Sequence, residues 1–195
     1  MAGRIVILNG APRSGKSSLA RAVQMQVPGH WVVWGVDAFN ASLPPQLMPG
    51  IGLRPGGERP DFEPDVSRLY RLYFAHMAQL ARAGLDVVAD LGLHRQYSSG
   101  LNPLALMEAA LAGLPPVIVG VDCAIDIIMA RRNADPQGGF YLAGPGIPSP
   151  VQRWQEAVHA DIDYQLRLDM GVLTPEQGAA QVARLLGEND SDRPA

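Results

Sequence analysis

A chain that contains "RIVILNGAPRSGKSSLARAVQMQ" has few ways to fold. A short β-branched run over 4–8 gives way to Asn9 and Gly10, and a helical pattern opens near Lys16. The run has the composition of a strand buried on both faces, which implies a parallel sheet covered by helices. Between strand and helix, Gly10, Gly15, Lys16 and Ser17 satisfy G-x-x-x-x-G-K-[ST]. Glycine lets the backbone curl until its N–H groups face one point, and the following helix adds the positive end of its dipole. Such a loop holds a polyphosphate. Gly10, Ala11, Pro12, Arg13, Ser14, Gly15, Lys16, Ser17 and Ser18 are therefore the expected nucleotide-binding segment. Lys16 would reach the β- and γ-phosphates of ATP, and the Ser17 hydroxyl would ligate Mg²⁺. Arg13 either touches phosphate or points to solvent.

Lys16 is the only lysine among 16 basic side chains. A compact ammonium fits a tight backbone cradle, whereas a planar guanidinium suits forked contacts. An arginine-biased chain that keeps one lysine here marks the loop as a binding element.

Strand and helix patterns alternate to the end of the chain. Further strands are expected over 31–36, 85–90, 116–121 and 164–170. Helices are expected over 16–26, 68–83 (capped by Ser67), 102–113, 124–132, 151–160 and 174–186. Asn102-Pro103 and the capping box Thr174 to Gln177 mark two of the helix starts. The order predicts an α/β three-layer sandwich with a five-stranded parallel sheet and right-handed crossovers, in one domain over 1–187. Residues 188–195 read as a flexible tail. Two Pro/Gly-rich segments interrupt the pattern: 40–65, expected to be a substrate loop too polar for the core, and 133–150, expected to be lid-like.

Ligands of such sheets bind outside the carboxyl ends of the strands. Asp90 ends the third strand and suits a metal-holding or substrate-contacting carboxylate, or a turn cap. Asp37 follows the second strand; it could accept the proton of an acceptor hydroxyl or cap a helix. Arg131 and Arg132 close the helix after the fourth strand, where they could neutralise a transferring phosphoryl group or simply complement the helix dipole. Arg153 is a weaker candidate of the same kind. His94 and Arg95 lie in the loop after Asp90, on the rim expected to meet substrate. His159 reads as a packed or surface residue on a helix, His76 as ordinary, and Cys123 as small and buried.

Composition narrows the function. Hydrophobic residues make up 47% and charged residues 18%, a globular profile. A net charge of -3 disfavours a general nucleic-acid or membrane-surface binder. One cysteine allows no internal disulfide and suits a reducing cytoplasm. No Cys/His cluster suggests zinc, and no G-x-G-x-x-G fingerprint appears. An N-K-x-D guanine-reading motif is impossible when the one lysine sits in the phosphate loop.

The blocks "ILNGAPRSGKSS", "WGVDAFN", "RLYRLYFAHMAQLARAGLDVVADL", "VIVGVDCAIDIIMARR" and "AVHADIDYQLRLD" resemble the chloramphenicol phosphotransferase family in order and spacing. The resemblance runs over about residues 4–186. It implies a P-loop kinase-like fold and ATP-dependent phosphorylation of a small-molecule hydroxyl. It also implies that Asp37 is the base that deprotonates the acceptor and that Lys16 and Ser17 serve phosphate and Mg²⁺. The chain departs from the pattern where Leu91 follows Asp90 in place of a second acid, and where "NADPQGGFYLAGPGIPSP" carries no cation. Both differences sit where an acceptor would bind. A kinase of a metabolite or nucleotide-sugar, and an ATP-binding regulator without transfer, are the alternative readings.

Overall fold

The computed structural model describes residues 1–135 and 146–191, with the backbone alone for 188–191. Its sheet has five strands in the order β2-β3-β1-β4-β5, all parallel. The strands are β1 (Ile5–Asn9), β2 (Trp31–Val33), β3 (Asp86–Leu91), β4 (Val117–Asp122) and β5 (Leu166–Asp169). The helices are α1 (Lys16–Gln26), α2 (Val36–Ala41), α3 (Glu63–Arg82), α4 (Pro103–Ala110), α5 (Ile125–Ala134), α6 (Ser149–Ala157) and α7 (Pro175–Ser191). The three-layer α/β sandwich expected from the alternation is the fold observed.

The period-2 geometry of a strand explains why β1 is apolar throughout. Ile5 and Ile7 face a cluster built mainly on α3, with Tyr70, Tyr73, Phe74 and Met77. Val6 and Leu8 face the opposite cluster, with Leu19 and Val23 of α1 and Val182 of α7. The central strand thus lies in the dry middle of the molecule, and the chain leaves the sheet at its carboxyl end. Asn9 pairs with Leu91 on one side and Gly120 on the other, so the exits of β3, β1 and β4 stand side by side.

Several boundaries differ from the sequence pattern. Strand β2 ends at Val33, and Asp37 falls in the first turn of α2, so the 31–36 run is not all strand. Helix α3 starts at Glu63 and not after Ser67. Pro64 suits a first turn, and the buried Glu63 carboxylate is held by Ser98 and Ser99 N–H groups across the fold. Sequence periodicity could not register that remote anchor. Helix α6 ends at Ala157, so His159 lies beyond it. The expected capping box holds: Thr174 N–H donates to Gln177 Oε1 and Gln177 N–H to Thr174 Oγ1. The backbone of α7 stays helical to Ser191, beyond the predicted end at 186.

The segment 40–65 is not the coreless loop its composition predicts. Ile51, Leu53 and Phe62 are buried in the large cluster. Of the lid-like segment over 133–150, residues 136–145 lie outside the described residues.

Candidate active site

The phosphate loop takes the conformation its sequence demands. Gly15 sits at φ 109, a region that only glycine enters readily. Arg13 adopts φ 67, unusual for a residue with a Cβ. The Ser14 N–H donates to the Ala11 carbonyl oxygen at 3.2 Å and closes the turn. Helix α1 then opens at Lys16 with no side-chain cap and no acidic residue in its first turn. Its leading N–H groups and dipole end therefore face the loop's concavity, an arrangement that can receive an anion. The buried Ser14 hydroxyl has no hydrogen-bond partner among the described residues.

Lys16 Nζ donates to the Ala11 carbonyl oxygen at 2.8 Å and folds back over the loop. Burial pulls its pKa down to about 8, against the opposing pull of the Asp90 and Asp37 carboxylates. Ser17 Oγ donates to Asp90 Oδ2 at 2.6 Å. Asp90 reaches this position because β2 exits through Gly35, where a Cβ would stand 2.1 Å from Asp90 Oδ1. Asp37 lies two residues after Gly35 and is exposed. Its helix is capped by Gly35, so Asp37 is not the N-cap.

The Ser17 hydroxyl and Asp90 carboxylate, 2.6 Å apart beside the anion cradle, fit Mg²⁺. That ion takes one or two protein oxygens and fills its remaining positions with phosphate and water. Among the described residues no group of three or more His, Cys, Asp or Glu side chains gathers to hold a metal. The donor set thus suits a cation carried with a polyphosphate and not a closed protein cage.

The remaining candidates scatter. Arg13 donates from Nη1 to Asp135 Oδ2 at 3.0 Å and from Nη2 to the Asp135 carbonyl oxygen at 2.6 Å. Arg131 donates to carbonyl oxygens beneath the loop. Arg132 is buried, with Nη1 4.0 Å from Met129 Sδ. Arg153 donates to Ser149 Oγ at 3.3 Å and packs over Gly56. Arg95 is exposed, 4.0 Å from Asp161. His94 was expected on the open rim and is instead buried at 2% exposure. Its Nδ1 accepts the Gln96 N–H, which leaves Nε2–H to donate to the Leu53 carbonyl oxygen. Burial lowers its pKa, so the ring is a neutral strut between the 92–99 loop and the 51–58 loop.

Two features escaped the sequence reading. Asn9 is fully buried at the mouth of the loop; its Oδ1 accepts the Leu93 N–H, and its Nδ2 donates to the Val158 carbonyl oxygen and Tyr164 Oη. Tyr164 Oη in turn meets His159 Nδ1 at 2.8 Å, and His159 Nε2 lies 3.4 Å from Asp122. His159 is therefore part of a buried-to-surface polar chain behind β1. The signal that was available is Asn9 itself, a polar residue closing an apolar strand. Glu63 is the second feature, and nothing in the sequence marks it.

A family model described as chloramphenicol phosphotransferase-like matches residues 3–187. A Mycobacterium tuberculosis H37Rv protein named "Putative O-phosphotransferase Rv2636" is 26% identical over 192 residues, covering 86% of this chain and 75% of that one. Among solved structures, the APS kinase CysC of Mycobacterium tuberculosis in complex with AMPPNP and APS aligns with a TM-score of 0.65 at 21% identity, over 95% of this chain and 98% of that one. A sugar kinase from Janibacter sp. aligns with a TM-score of 0.64 at 19% identity, over 99% of both chains. These two likenesses are likenesses of fold. With a P-loop kinase fold and a family match over nearly its whole length, the chain belongs to the chloramphenicol phosphotransferase-like family and is a phosphotransferase.

Proposed function

We propose that this enzyme transfers the γ-phosphoryl group of ATP to a hydroxyl of a small molecule. The observation that carries the reading is the division between two carboxylates beside Lys16. Asp90 is committed to Ser17 at 2.6 Å, whereas Asp37 is exposed on the first turn of α2. In this reading the loop N–H groups and Lys16 hold the β- and γ-phosphates, and Ser17 and Asp90 would hold Mg²⁺. Bound there, Mg²⁺ would neutralise phosphate charge.

Asp37 accepts the proton of the acceptor hydroxyl as its oxygen bonds to the γ-phosphorus. The bond from that phosphorus to the β,γ-bridging oxygen breaks, and ADP leaves with the electron pair. Lys16 offsets the charge that develops on the transferred group. The segment 40–65 forms the acceptor-side wall, because it follows Asp37 directly and packs on the 92–99 loop.

The family match makes chloramphenicol and related hydroxylated antibiotics the first acceptors to assay, with sugars and nucleotide-sugars beside them. Incubation of the protein, ATP and Mg²⁺ with such a panel should give one compound heavier by one phosphate in mass spectrometry. The Asp37→Ala variant should form that product about a thousandfold more slowly. ATP binding with no phosphorylated compound from any class would sink the reading in favour of a nucleotide-binding regulator. No described helix is long and apolar enough to cross a membrane.

A further inference from the structure

Arg131 leaves the last turn of α5 and runs beneath the phosphate loop. Its Nη1 donates to the carbonyl oxygens of Ser14 at 3.0 Å and Arg13 at 3.2 Å. Its Nη2 donates to the carbonyl oxygen of Met170 at 2.6 Å, and Nη1 also lies 3.5 Å from Cys123 Sγ. Met170 packs against Gly15 from the turn after β5, and its own N–H donates to the Asp122 carbonyl oxygen at 2.8 Å. One guanidinium therefore joins α5, the turn after β5 and the phosphate loop.

The consequence follows from peptide geometry. A planar trans peptide points its carbonyl and its N–H to opposite sides. Holding the Arg13 and Ser14 carbonyls on Arg131 turns the Ser14 and Gly15 N–H groups away from it. The Ser14 N–H closes the turn onto Ala11. The Gly15 N–H remains on the concave side, with the opening turn of α1. The left-handed conformation of Arg13 also needs neighbours that fix it, and Arg131 supplies one through the Arg13 carbonyl.

We infer that Arg131 is a positioning residue for the nucleotide, shaping the phosphate loop from behind and tying it to the turn after β5 without touching the ligand. The inference rests on the reading that this loop holds ATP phosphates. Two other uses of Arg131 make different forecasts: a contact with the γ-phosphoryl group and a contact with the base.

Three probes separate them: a non-hydrolysable ATP analogue, ADP and inorganic pyrophosphate, each titrated with Mg²⁺ against wild type, Arg131→Met and Arg131→Lys. A positioning role weakens all three by a similar factor in Arg131→Met, about tenfold, and Arg131→Lys recovers part of the loss. Weakening of the triphosphate analogue alone would overturn the inference in favour of a γ-phosphoryl contact. Weakening of both nucleotides with pyrophosphate unchanged would overturn it in favour of a base contact. Unchanged affinity for all three would also overturn it, while leaving the nucleotide reading intact. Failure of the wild type to bind any probe would instead remove the nucleotide reading on which it rests. Thermal melting of each variant checks folding, and Arg131→Lys carries the comparison if the methionine variant does not fold.

Discussion

The phosphate loop follows β1 and the 40–65 segment follows β2 and α2, with β3 between the two strands in the sheet, and both contain glycine and proline. They are built on opposite plans. The phosphate loop is closed by near neighbours, with Arg131 as a remote support behind it: Ser14 N–H and Lys16 Nζ both reach Ala11, and Gly15 supplies the required φ. It leaves inward N–H groups open to an anion. The 40–65 segment satisfies itself through remote partners. Asn40 brackets Ile51 through both its N–H and its carbonyl oxygen. Gly56 and Gly57 N–H groups donate to the Gln96 carbonyl oxygen, His94 holds Leu53, and Glu63 holds Ser98 and Ser99. A binding loop keeps its polar groups available; a wall closes them off. Asn9 ties the phosphate loop to the 92–99 loop on which the 40–65 segment packs, since it precedes Gly10 and accepts the Leu93 N–H.

The comparison breaks first at Asp37, which the proposed reaction puts on the acceptor side. Asp37→Ala should lower phosphoryl transfer by about a thousandfold while ATP-analogue affinity stays near that of wild type. A variant that still transfers at full rate would remove the base from Asp37. Next is the shape of the loop's cation: Lys16→Arg keeps the charge but enlarges the group, and nucleotide affinity should fall about tenfold or more. Equal affinity by calorimetry would mean that the cradle is looser than its hydrogen bonds imply.

Glu63→Gln tests the wall. Burial alone would push the Glu63 carboxyl up, but the Ser98 and Ser99 N–H groups outweigh it and hold the pKa below the usual value. Loss of that charged acceptor should cost about 1–2 kcal/mol of stability, seen as a lower melting temperature, with nucleotide affinity preserved. A matching loss of nucleotide affinity would show that wall and loop are one cooperative unit.

The smallest effect is protonic. The Lys16 pKa is lowered to about 8 from 10.5. Between those values the unfolded chain holds the extra proton, so the Lys16 contribution to stability rises with pH across that window and opposes folding below it. Phosphate favours the ammonium form. Nucleotide binding near pH 8 to 9 should therefore take up a fraction of a proton, and affinity should weaken as pH rises through about 8. Calorimetry in two buffers of different ionisation enthalpy measures the uptake; identical heats would contradict it.

Much of this site was legible because it is local. Spacing alone puts Gly10, Gly15, Lys16 and Ser17 on one turn between a strand and a helix, and β1 and α1 flank that turn in that order. Asp37 as the base rests on the resemblance, and its strand is three residues shorter than the apolar run suggests. His94 was misjudged for the reason that the wall was: a loop residue after a strand reads as rim, and only the folded chain lays 51–58 over it. Arg131 and Arg132, adjacent and alike in sequence, take different surroundings, one beneath the loop and one buried near Met129.

The sequence by itself determined the alternation of strands and helices, the central apolar strand and the phosphate loop, because each rests on periodicity, glycine geometry or contacts a few residues apart. Tertiary structure alone decided that Ser17 meets Asp90 across 73 positions, that Arg131 turns to the loop's carbonyls 117 and 118 positions away, and that Glu63 pins the 98–99 turn. Those contacts depend on strand order and on which exits stand side by side, and neither is written in any local stretch of the chain.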